Sequence, residues 1–170
     1  WVKGLMLSCI LSDTLEFRSP TTTAHDKALA EALAADLGLS IADYAAKLFE
    51  AKSDVGAFSD AELLRMDSKE YTVAGKELRV SVLETTAPKV VLDRKASLMN
   101  SMVGVAKEDG ADQVLLFVID ILKEEATLLV PNDLVKSLAE ASFGVKVTGD
   151  TVVIPGLMSR KKQIIPALKL

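Results

Sequence analysis

The chain has 170 residues, 49% hydrophobic and 26% charged, which excludes a disordered polypeptide and fits one ordinary domain, or a small domain with a piece of another. Twenty basic residues against twenty-four acidic ones give a net charge of −4, without the basic excess of a general nucleic-acid binder.

The single cysteine, Cys9, lies in an apolar run and reads as a small buried hydrophobe; with one histidine, His25, a Cys/His zinc site is excluded. The apolar run Gly4–Leu11 is interrupted by Ser8 and is too short to span a bilayer. No basic n-region with a cleavage site precedes it, so the cytoplasm is the expected compartment. Trp1 opens directly into a helical pattern without a capping residue, and the sequence therefore reads as a segment of a longer protein.

Residues Trp1–Ser12 predict a largely buried helix, broken by Pro20 and the threonines after it. Thr23 with Asp26 is a capping-box signal. It opens a helix with Ala28, Leu29, Ala32, Leu33 and Leu37 at helical spacing, stopped by Gly38. Ser40 with Asp43 repeats the start signal for a helix to about Ala51.

Lys52–Phe58 is small and polar and reads as a linker, and Ser59 with Glu62 opens a short helix ending near Asp67. Tyr71–Val73 and Leu78–Leu83 are β-rich runs around a hairpin signal at Ala74-Gly75-Lys76-Glu77. Pro88 suits the first turn of a helix running to about Lys107 and ending at Gly110. Gln113–Leu122 is nearly all apolar, as for a central strand covered on both faces. Ala126–Val130 is its expected antiparallel partner across the turn Lys123-Glu124-Glu125. Pro131-Asn132-Asp133 starts a helix stopped by Gly144, and Val145–Val147 with Thr151–Ile154 flank a second hairpin signal at Gly149-Asp150.

The fold class is α/β, of mixed α+β type. A helical segment, residues 1–52, is followed by a linker, 53–58, and by a domain, 59–170, with a mixed sheet of about five strands flanked by helices.

Three constellations carry candidate chemistry. Asp13, at the end of the first helix and followed by hydroxyl residues, is a hard oxygen donor suited to a divalent metal. Alone it reads rather as a residue bonded to nearby backbone or to Arg18. Arg160-Lys161-Lys162 follow the end of a strand; the arginine fork and the lysine point charges suit phosphate oxygens. Alone they read as a solvated basic turn. Lys69, between a helix and a strand, is by itself a surface lysine.

In order along the chain, Ile10-Leu11-Ser12-Asp13-Thr14-Leu15, Met66-Asp67-Ser68-Lys69-Glu70-Tyr71, Leu115–Leu122 and Ser159-Arg160-Lys161-Lys162-Gln163 resemble the family II inorganic pyrophosphatases of the DHH phosphoesterase superfamily. The resemblance covers nearly the whole chain as the C-terminal part of such an enzyme, with the DHH-associated C-terminal domain. Glu16 stands where an apolar residue is usual, Arg18 where lysine is common, and Pro166-Ala167 where Pro-Pro is frequent.

The resemblance implies hydrolysis of pyrophosphate to two phosphates with Mn²⁺ or Co²⁺ and with Mg²⁺ joining through the substrate. It assigns Asp13 as a metal ligand and Lys69, Arg160 and Lys161 as catalytic, phosphate-binding cations. It implies a homodimer, pyrophosphate as partner, neither nucleic acid nor membrane, and in some relatives adenylate-binding CBS domains inserted upstream. The family's His/Asp and Asp-His-His motifs do not occur in this sequence, so the chain alone is expected to be inactive and to hold no metal tightly. An exopolyphosphatase of the same superfamily is the alternative reading, and a non-catalytic phosphate-binding or regulatory module the next.

Overall fold

The structure, a computed structural model, describes residues 1–170. It divides into two compact units, Trp1–Asp54 and Val55–Leu170. No helix is long and apolar enough to cross a membrane.

The first unit is three helices: α1 (Val2–Thr14), α2 (Ala24–Leu37) and α3 (Ile41–Lys52). The capping box at Thr23 and Asp26 forms as expected, and Gly38 ends α2 in the left-handed region at φ 65°. Ser40 caps α3 by accepting the Asp43 N–H. Helix α1 is not largely buried. It packs one stripe, Leu7, Leu11 and Thr14, at spacings that share a helix face. Trp1, Val2, Leu5 and Met6 are exposed, and so is Cys9. Its polar residues Lys3, Ser8, Ser12 and Asp13 are spread round the helix, so its sequence has no polar side to mark the buried face. Alanine-rich α2 shows the same effect: it buries Ala30, Leu33 and Ala34, while Ala28 and Ala32 are exposed.

The second unit begins with buried Val55. Its elements are α4 (Asp60–Met66), β1 (Ser68–Val73), β2 (Lys76–Thr85), α5 (Pro88–Leu92), α6 (Lys95–Asp109), β3 (Gln113–Asp120), β4 (Glu125–Leu129), α7 (Asp133–Phe143), β5 (Thr151–Pro155) and two short turns of helix, Arg160–Ile164 in π form and α8 (Ile165–Ala167). The sheet has five strands in the order β1-β2-β3-β4-β5. Only β2 and β3 run parallel, because α5 and α6 lie between them and supply the crossover that a parallel pair needs. All eight residues of β3 are buried. Val114, Leu116 and Val118 join Leu98, Met102 and Val105 of α6, with Leu63 and Leu64 of α4, in one core. On the alternate face Phe117 meets Phe143 of α7 edge-on, ring centroids 5.9 Å apart.

The β1–β2 hairpin turns through Ala74 (φ 50°) and Gly75 (φ 77°) alone; Lys76 and Glu77 belong to β2. Two adjacent positive φ values give the tight turn whose twist suits a hairpin. The helix from Pro88 is two helices, interrupted at Asp93-Arg94. No Gly or Pro marks that break. The Arg94 guanidinium instead pairs with Asp60 at 2.5 Å and donates to the carbonyl oxygens of Phe58 (2.9 Å) and Val55 (3.4 Å). Val145–Val147 forms no strand, and β5 pairs with β4. The Val147 N–H is taken by the Glu140 carboxylate at 3.1 Å, so that backbone is satisfied without a ladder.

Candidate functional site

Beyond β5 the chain turns at Gly156 (φ 72°), whose N–H donates to Glu124 O at 2.8 Å. Gln163 then fastens the loop from inside. Its Oε1 accepts the N–H groups of Met158 (2.8 Å) and Ser159 (2.9 Å), and its Nε2 donates to Gly156 O (2.7 Å). Ser159 caps the π turn by accepting the Lys162 N–H. The cationic turn is therefore built on a fixed loop.

Arg160 is largely covered, its side chain 13% exposed. Its Nη1 donates to Asp67 O (2.8 Å) and Val80 O (3.5 Å), and its Nη2 to the Asp67 carboxylate (2.7 Å). Lys69 stands opposite Val80 in the β1–β2 ladder. Asp67 already belongs to that ladder through Val82 N–H to Asp67 O (2.9 Å). Strand alternation places Lys69 on the side of Asp67, two residues or roughly 7 Å along the strand. Ser68 and Glu70 take the opposite side, where both bind Arg79. The structure thus brings Lys69 and Arg160 to one place on β1. Lys161 adjoins Arg160 in sequence; it and Lys69 are exposed, and neither ammonium group has a hydrogen bond or ion pair. A cavity of about 780 Å³ between α6 and the Val130–Asn132 loop includes none of these cations.

Asp13 stands in the other unit, exposed, in the last turn of α1. It does not pair with Arg18, whose partner is Glu16. The turn after it is unusual: Leu15, Glu16 and Phe17 all have positive φ, 50°, 52° and 69°. Such residues cost about 1–2 kcal/mol each. Thr14 offsets part of this, donating to Ile10 O (2.7 Å) and accepting the Phe17 N–H (3.3 Å), while Ser19 N–H reaches Thr14 O (2.9 Å).

Residues 46–170 match the DHHA2 domain family. The chain belongs to that family. This DHHA2 chain is 37% identical over 167 residues to a manganese-dependent inorganic pyrophosphatase of Methanocaldococcus jannaschii and 34% identical over 168 residues to one of Bacillus subtilis, covering 98% of this chain and 54% of each relative. Among solved structures it is similar to a family II inorganic pyrophosphatase of Methanococcus jannaschii, with TM-score 0.83 and 36% identity, over 97% of this chain and 53% of that one. The DHHA2 chain spans about half the length of the curated relatives it matches.

The relatives' manganese sets a test for the donors present. Manganese in an oxygen site takes about six ligands. No group of three or more His, Cys, Asp or Glu stands together in this DHHA2 chain, and Asp13 supplies one carboxylate. The residues present do not by themselves fit a manganese centre. Asp67 and Gln163 are the parts of the site that sequence reasoning passed over as binding residues. The signal for Asp67 was its place two residues before Lys69; for Gln163, its place in the motif with Arg160.

Proposed function

We propose that this chain is the phosphate-gripping part of a manganese-dependent inorganic pyrophosphatase that hydrolyses pyrophosphate to two phosphates. The observation that carries it is Arg160 fastened to the start of β1 on the side of Lys69. Two tetrahedral phosphate groups carry most of their charge on outer oxygens. A planar fork with mobile ammonium groups beside it suits such a ligand better than any single cation. Arg160, Lys161 and Lys69 bind those oxygens and stabilise negative charge as the bridging bond breaks.

In this reading residues 1–52 belong to the catalytic domain, 53–58 link, and 59–170 bind substrate. Asp13 is one ligand of a centre of Mn²⁺ or Co²⁺, with Mg²⁺ arriving on the substrate. Those metals, when bound, supply the activated water. The complete enzyme is a cytoplasmic homodimer, and this chain alone is inactive because its donors make no metal centre.

The test is manganese-stimulated phosphate release from pyrophosphate, measured on the complete reading frame and on the 170-residue chain. Activity in the former and none in the latter is expected. Release by the chain alone overturns its assignment as inactive; silence of the complete protein with metal bound overturns the pyrophosphatase.

A further inference from the structure

We propose that Asp67 is a positioning residue that sets which edge of the Arg160 guanidinium faces a phosphate group. The inference rests on the phosphate-binding reading of Arg160 and adds how that side chain is aimed.

A guanidinium has five N–H donors in one plane, arranged as two forks. One fork is the Nη1–Nη2 edge and the other the Nε–Nη2 edge. Asp67 occupies the first fork from both its groups: the backbone oxygen takes Nη1 at 2.8 Å and the carboxylate takes Nη2 at 2.7 Å. The remaining Nη1 hydrogen is directed to Val80 O at 3.5 Å. Every protein acceptor on Arg160 is thereby placed on Nη1 or on one hydrogen of Nη2. The Nε–Nη2 edge keeps two parallel N–H groups without a protein partner, the geometry that accepts two oxygens of one phosphate. The Asp67 backbone oxygen is itself held by the Val82 N–H, which anchors the Nη1 bond, and the carboxylate then sets the plane through Nη2. Asp67 is also two residues from Lys69, so the same carboxylate brings the arginine to the lysine.

An anionic residue beside an anion site has a second, opposite effect, since its charge repels the ligand. The two effects predict different signs. If Asp67 acts only by its charge, Asp67→Ala and Asp67→Asn both tighten pyrophosphate binding. If it acts by orientation, Asp67→Ala weakens binding by about tenfold, the loss expected when one charge-assisted hydrogen bond no longer holds the fork. Asp67→Asn keeps an oxygen acceptor at the same place and restores most of the affinity.

The experiment is calorimetric titration of the 170-residue chain and both variants with pyrophosphate, and with inorganic phosphate as the shorter ligand. A ¹⁵N relaxation measurement of the Arg160 Nε–H without ligand accompanies it. Expected are weakened binding and a mobile Arg160 in Asp67→Ala, and near-normal binding with a rigid Arg160 in Asp67→Asn. Tighter binding in both variants, or an Arg160 equally rigid in all three proteins, overturns the positioning role. A folded parent chain whose Arg160 is rigid but which binds no pyrophosphate overturns the phosphate reading of the site, and with it the ligand assigned to the free edge.

Discussion

Glu16 and Arg18 form an ion pair with each other across the left-handed turn that follows Asp13. Both charges are partly covered, Glu16 at 19% and Arg18 at 30% side-chain exposure.

A double-mutant cycle with Glu16→Ala and Arg18→Ala is expected to show a coupling of roughly 0.5–1 kcal/mol, the range of a partly exposed pair. Chemical denaturation of the four proteins measures it. Additive single effects would mean that the two charges act independently.

Lys69→Ala and Lys161→Ala should separate binding from stability. Both lysines are exposed and unpaired, so each change is expected to shift stability by no more than about 0.5 kcal/mol. Pyrophosphate affinity should fall by about tenfold for each, as one charged contact is lost. Thermal melts and calorimetric titrations on the same preparations check both halves. Arg160→Ala contrasts with them, because its bonds to Asp67 are also structural. It should lose affinity and roughly 1–3 kcal/mol of stability together.

Asp109 gives the second unit a defined acid response. Its carboxylate accepts from Arg65 Nε (3.1 Å) and Nη2 (3.0 Å), with Arg79 Nε an ion contact at 2.8 Å. Arg65, then burial in opposition, then Arg79 set its proton affinity, and the result lies below the usual carboxylate range. Folding thus favours its ionised form. That contribution is complete above the unfolded carboxyl value and is lost as pH falls through the lower folded one. Asp109→Asn should cost roughly 1–3 kcal/mol at neutral pH, and its stability should vary less with pH on the acid side of about 4. Urea titrations from pH 3 to pH 7 (about one unit apart) measure the slope. Equal slopes in parent and variant would remove Asp109 from the acid response.

Arg94→Ala should loosen the start of the second unit. The side chain joins Asp60, Phe58 O and Val55 O, and its loss leaves a partly covered carboxylate. A cost of roughly 1.5–3 kcal/mol is expected, with faster amide exchange around Val55–Asp60 than elsewhere. Uniform acceleration throughout the unit would show that Arg94 supports the fold globally.

Elements governed by local chemistry were legible. Ser59 with Glu62 and Thr23 with Asp26 form the capping boxes their spacing indicates, and the six apolar residues Val114–Ile119 of β3 are covered on both sides. The failures arise where a distant partner overrides a local signal. Arg94 interrupts a helix by bonding to residues 34 to 39 positions away. Glu140 satisfies the Val147 N–H and leaves no call for a strand. In α1 polar and apolar residues are mixed on every side, so nothing local distinguishes Cys9 from Leu7. The candidate cations were nameable from motif order, but the grip of Asp67 on Arg160 spans 93 positions and has no local signature.

That span has a consequence for assembly. Lys69 lies on β1, at one margin of the sheet, whereas Arg160 follows β5 at the other. Four inter-strand spacings separate those margins, roughly 19 Å, and residues Gly156–Arg160 with the long arginine side chain bridge them. All five strands precede Arg160 in the order of synthesis. A chain that stops between Pro155 and Arg160 contains the sequence of every strand but lacks the side chain that joins the segment after β5 to Asp67, so the link across the sheet is the last part of it to be made.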